Sequence, residues 1–89
     1  MTKREAWRFL AAKWRNPQTD GSVLYVRIND SYCYGLCRSV KNLYHLVDQE
    51  VITEMVNQIP PSYSTYLWPL DEVGAAERVK FCEARVEES

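Results

Sequence analysis

Thr2 followed three residues later by Glu5 marks a helix start, because each side chain can satisfy a backbone N–H that the first helical turn leaves open. Trp7, Leu10, Ala11 and Trp14 then fall at i, i+3, i+4 and i+7 and form one apolar stripe, with Arg4, Arg8 and Arg15 on another face. Asn16-Pro17 closes this helix. After the turn chemistry of Asp20-Gly21, the β-branched and aromatic run over 23–28 predicts a strand.

Cys33, Leu36, Cys37, Val40, Leu43, Tyr44 and Val47 keep helical spacing and predict a helix over 32–46. Gly35 weakens the start of that helix and leaves open a short strand over 31–34 that hairpins onto 23–28. Asp48 is placed to cap a third helix with the stripe Ile52, Met55, Val56 and Ile59, which Pro60-Pro61 stops. Residues 62–70 are aromatic and read as extended, with Tyr66 or Leu67 placed to pair beside the first strand. Asp71 then caps a last helix, with Glu72 in its first turn and Ala75, Val79, Cys82 and Val86 on its buried stripe. The expected architecture is α+β and helix-dominant: about four short helices around a minimal two- or three-stranded antiparallel sheet, in one compact domain over 1–89.

Length sharpens this picture, since a domain of 89 residues hides a modest share of its surface and gains from self-association; a homo-oligomer is expected. The net charge of −1 conceals an uneven distribution. Bases cluster in the first helix as Lys3, Arg4, Arg8, Lys13 and Arg15, whereas acids dominate from residue 46 onward. This division suits an anion-binding face, head-to-tail pairing of subunits, or internal complementarity between terminal helices. A sequence pI near 5.8 argues against generic duplex nucleic-acid binding. The early charges and the lack of a long apolar run argue against export and membrane insertion, and three cysteines fit reduced thiols in the cytoplasm.

Cys33, Cys37, His45 and Cys82 are the residue types of a structural zinc site, but Cys33 and Cys37 sit one helical turn apart in an apolar stripe. Buried free thiols are therefore expected, with no metal and no cofactor. With one histidine in the chain, a Cys-His pair is the remaining route to a small cysteine-dependent enzyme with Cys82 or Cys37 as nucleophile. A helix would put His45 about 12 Å along its axis from Cys37, too far for direct proton transfer, which leaves Cys82 as the partner His45 could meet; a non-enzyme is the expectation. Arg4, Arg8, Lys13 and Arg15 beside Trp7 suit a small anionic nucleotide, since guanidinium forks hold phosphate and aromatic faces stack on bases. Tyr63, Tyr66 and Trp68 are candidates for a protein contact patch. Packing of the tryptophans in the core is the competing reading.

The opening Thr2-Lys3-Arg4-Glu5-Ala6-Trp7-Arg8-Phe9-Leu10 and the later Tyr66-Leu67-Trp68-Pro69-Leu70-Asp71-Glu72, followed by the helix over 74–83, resemble small uncharacterised proteins encoded by bacteriophages and prophages. The resemblance implies a counter-defence protein that acts stoichiometrically on a host immune process, sequestering a nucleotide signal or occupying a host protein. A structural or genome-maintenance phage component without a small ligand is the alternative.

Overall fold

The computed structural model describes residues 1–15, 25–28, 31–64 and 72–88, with backbone alone for residues 25–28, 31–34, 64 and 72. Helix α1 spans Lys3–Arg15 and begins as its sequence dictates. The Thr2 N–H donates to Glu5 Oε1 and the Glu5 N–H donates to Thr2 Oγ1, each at 3.2 Å. Reciprocal bonding of this kind satisfies donors that the first turn cannot. It also favours the ionised carboxylate, so the Glu5 pKa is lowered, chiefly by the bond from the Thr2 backbone. Ala6, Trp7, Leu10, Ala11 and Trp14 are buried, along the face that the periodicity marks.

Gly35, extended and at the N-cap position, leads into α2, Leu36–Lys41. The helix expected over 32–46 is thus corrected at both ends. Beyond Lys41 the chain passes into tight turns, in which the N–H groups of Leu43, Tyr44 and Leu46 donate to the carbonyls of Val40, Lys41 and Leu43. Such i→i+3 turns retain roughly helical spacing, which is why Leu36, Val40, Leu43 and Val47 all reach the core although the regular helix has stopped. Tyr44, expected on the same stripe, instead lies 74% exposed.

Helix α3, Gln49–Gln58, starts after Asp48, whose side chain makes no capping bond. Its stripe is buried at Ile52 and Met55, with Ile59 just beyond its end, and half-buried at Val56. Pro61–Ser64 forms a 3-10 turn where an extended segment was expected to begin; the remaining residues of that segment, 65–70, lie outside the described set, as does Asp71. Helix α4, Glu72–Glu88, buries Ala75, Val79 and Cys82 and leaves Val86 half-buried.

The expected α+β architecture does not hold. Among the described residues the body is helix on helix: it is built from four α-helices rather than around a sheet, and every described core residue belongs to a helix or to the turns beside one. The backbone over Tyr25–Ile28 runs antiparallel to Ser31–Tyr34 as an isolated pair, with Tyr25 opposite Tyr34 and Ile28 opposite Ser31. Among the described residues no further strand joins these two four-residue segments, and a two-stranded pair is too small to form a core of its own. The amphipathic stripes of the helices are buried against one another instead, and α1 and α4 pack most extensively.

The α1–α4 contact is organised by Arg78, which is only 3% exposed. Its guanidinium carbon lies 5.6 Å from the Trp14 ring centroid and 5.5 Å from that of Tyr63, and its Nη1 donates to the Gly74 carbonyl at 2.9 Å. Phe81 continues the cluster, meeting Tyr63 at 5.4 Å and Trp7 at 5.6 Å, both edge to face. Above Phe81 sits the Arg85 guanidinium, 4.8 Å from its centroid. Trp14, Arg78, Tyr63, Phe81 and Trp7 therefore form a continuous path from α1 through α4 and the 3-10 turn and back to α1.

Two substitutions test these assignments by urea denaturation. Thr2→Ala should lower stability by about 1 kcal/mol. The share owed to the ionised Glu5 cap is present above the ordinary carboxylate range and fades as pH falls through the lowered Glu5 pKa. Arg78→Lys should cost about 1–3 kcal/mol despite keeping the charge, because a compact ammonium cannot spread its charge toward both Trp14 and Tyr63 as the planar guanidinium does while also bonding the Gly74 carbonyl. Unchanged stability in the lysine variant would show that planarity at this position is immaterial.

Candidate functional site

The five bases of α1 have different environments. Lys3 Nζ pairs with Glu54 Oε1 of α3, and Arg15 Nη2 pairs with Glu83 Oε1 of α4 at 2.8 Å. Lys13 lies over the Phe9 ring, its ammonium 5.2 Å from the centroid. Arg4 and Arg8 are exposed one helical turn apart and make no ion pair among the described residues. Internal complementarity between helices thus engages the two ends of the basic helix and leaves two guanidinium groups facing solvent. The Lys3 and Arg15 pairs are partly exposed and screened, so each contributes at most about 1 kcal/mol; their effect is to direct charge more than to hold the fold.

Trp7, grouped by sequence with these bases as a stacking surface, is 0% exposed and covered by Phe81. Trp14 is also buried, beneath Arg78. The structure therefore brings Arg4 and Arg8 together and directs Trp7 into the interior, away from any ligand on the outer face. Tyr63 is half-buried between Arg78 and Phe81. Its proposed companions in a contact patch, Tyr66 and Trp68, lie outside the described residues.

The thiols divide similarly. Cys82 is fully buried, and desolvation, reinforced by the neighbouring Glu83 charge, pushes its pKa up to about 12. Cys37 is half-buried, and nothing is described of the Cys33 side chain. His45 is exposed in the turn after α2, edge to face with Tyr44 at 5.4 Å. Among the described residues no three His, Cys, Asp or Glu side chains gather as metal ligands, and no helix is long and apolar enough to cross a membrane.

Sequence reading missed three features of this surface and its supports. Arg78 falls on the spacing of the buried α4 stripe, three residues after Ala75 and four before Cys82, but its charge takes it out of any apolar pattern, and Phe81 sits beside that stripe. Tyr44, Leu46 and His45 form an exposed turn because the chain leaves the helical path after Lys41. The pairing of Lys3 with Glu54 joins residues too far apart in sequence for any local signal, although the unequal distribution of charge pointed to contacts of that class.

A thiol with a pKa near 12 remains protonated throughout the neutral range and is a poor nucleophile. Iodoacetamide at neutral pH should leave Cys82 unmodified in the native protein and alkylate it readily in denaturant, as read by peptide mass spectrometry. Rapid native labelling would show that the helix pair opens at this point. Because burial raises this pKa, its contribution to stability is complete below about pH 9 and declines as pH rises toward 12. Compared with family models, curated proteins and solved structures, the chain has no match.

Proposed function

We propose that this chain is a small non-enzymatic binding protein of phage type that acts stoichiometrically in the host cytoplasm, occupying an acidic surface of a host protein with the outer face of α1. The observation carrying this reading is the selective matching of the basic helix: Lys3 and Arg15 are satisfied within the fold, whereas Arg4 and Arg8 are exposed without an ion pair among the described residues. Two guanidinium groups one turn apart suit carboxylates on a partner, to which each can donate a pair of hydrogen bonds. A protein is favoured over a nucleotide because both indoles of α1 are covered, leaving neither Trp7 nor Trp14 to stack on a base. The neutral, buried Cys82 thiol likewise favours binding over nucleophilic catalysis. Self-association belongs to the same reading, since a domain of this length gains stability from added burial.

The test is purification of tagged wild-type and Arg4→Glu/Arg8→Glu proteins from a bacterial host, with bound species identified by native mass spectrometry. Wild type should carry a protein partner at fixed stoichiometry, and the double variant should retain it at least about tenfold less with an unchanged thermal transition. Equal retention by both proteins would remove α1 from the interface. A small anion bound in place of a protein would return the nucleotide reading.

A further inference from the structure

A second surface, which shares no lining residue with α1, lies between the end of α2 and the flank of α3. It is an open groove of about 350 Å³ lined by Lys41, Gln49, Ile52, Thr53, Val56 and Asn57. The α3 members recur every three or four residues, so they form one continuous strip along about two turns of helix. Ile52 and the half-buried Val56 supply an apolar floor. Gln49 and Asn57 place a carboxamide toward either end of the strip, and each carboxamide can pair with both the N–H and the C=O of a peptide unit. The Thr53 hydroxyl donates to the Gln49 carbonyl at 3.0 Å, which leaves its oxygen free to accept.

Charge distinguishes the two sides. Lys41 borders the groove from α2, and Arg38, one turn earlier on the same helix, adds a second exposed cation. Neither makes an ion pair among the described residues. Of the acids around α3, Glu54 is held by Lys3, and neither Asp48 nor Glu50 lines the groove. An occupant matched to this surface has an aliphatic anchor, an extended backbone and a carboxylate.

We infer that the groove takes a short acidic peptide segment of a partner protein, with an aliphatic side chain seated on Ile52 and Val56 and a carboxylate held by Lys41. None of its lining residues belongs to the α1 face. Specificity comes from requiring both elements: the apolar floor discriminates against a purely polar acidic chain, and the lysine discriminates against a basic one.

Fluorescence anisotropy of the full chain with three fluorescein-labelled octapeptides tests the inference: alternating Leu and Glu, alternating Ser and Glu, and alternating Leu and Lys. The Leu–Glu peptide should bind saturably, and the other two at least about tenfold more weakly. Lys41→Glu should lower affinity for the Leu–Glu peptide at least about tenfold, while Lys41→Arg retains it, since the exposed position tolerates either residue without loss of the fold. Arg4→Glu/Arg8→Glu should leave this binding unchanged, which separates the groove from the proposed interface on α1. Absence of saturable binding, equal binding of the Ser–Glu peptide, or indifference to Lys41→Glu overturns the inference. Loss of binding in the α1 double variant also overturns it and assigns the peptide to α1.

Discussion

A guanidinium carried into an apolar interior gives up much of its hydration, so Arg78 can remain there only where the surroundings replace what water supplied. Trp14 and Tyr63 present their rings to it, and the Gly74 carbonyl accepts one of its hydrogen bonds. The arrangement is geometrically demanding, because the planar cation has to match surfaces from α1 and from the 3-10 turn while its own backbone belongs to α4. Apolar burial favours contact between these elements in many arrangements; the cation–ring contacts of Arg78 select among them. Phe81 extends that selection to Trp7, bringing the two tryptophans of α1 into the same aromatic assembly.

The face proposed for binding follows from this internal order. Because the indoles of α1 are committed to the interior, the opposite side of that helix is freed for charge. Ion pairs near its two ends then engage α3 and α4 and leave Arg4 and Arg8 toward solvent. The polar and apolar sides of one helix thus have separate tasks, and binding chemistry can vary on the outside with little consequence for packing. The groove beside α3 likewise shares no residue with the Arg78 assembly; its floor is the half-buried Val56 with the small exposed part of Ile52, on a stripe whose remaining residues are buried.

How much of this was legible in the sequence depended on the range of the interaction. The reciprocal Thr2–Glu5 bonds and the buried stripe of α1 are local, and the residues that make them lie within a few turns of each other. The stop of α3 at Pro60-Pro61 is local for the same reason. Periodicity failed after Lys41 because successive i→i+3 turns imitate the spacing of a helix while carrying Tyr44 outward. It also gave the strands too large a part, since local β-propensity cannot show whether further strands are available to build a sheet. The candidate site was visible only as residue types. Its basic residues could be named, but whether Trp7 faced ligand or core and which arginines were matched depended on helices distant in sequence, and Arg78 carries a charge that hydrophobic periodicity discounts.

The dependence of α1 on α4 also has a consequence during synthesis. Residues 16–71 separate the two helices, so at elongation rates of about 5–20 residues per second about 3–11 seconds pass between completion of α1 and the start of α4. Throughout that interval Trp7, Leu10 and Trp14 lack the surface that covers them in the finished protein. The nascent segment is an amphipathic helix with two indoles on its apolar side, a form that chaperones and membrane surfaces also accept. Burial of its hydrophobic face must await the ribosome, and competition for that face begins before the protein can fold.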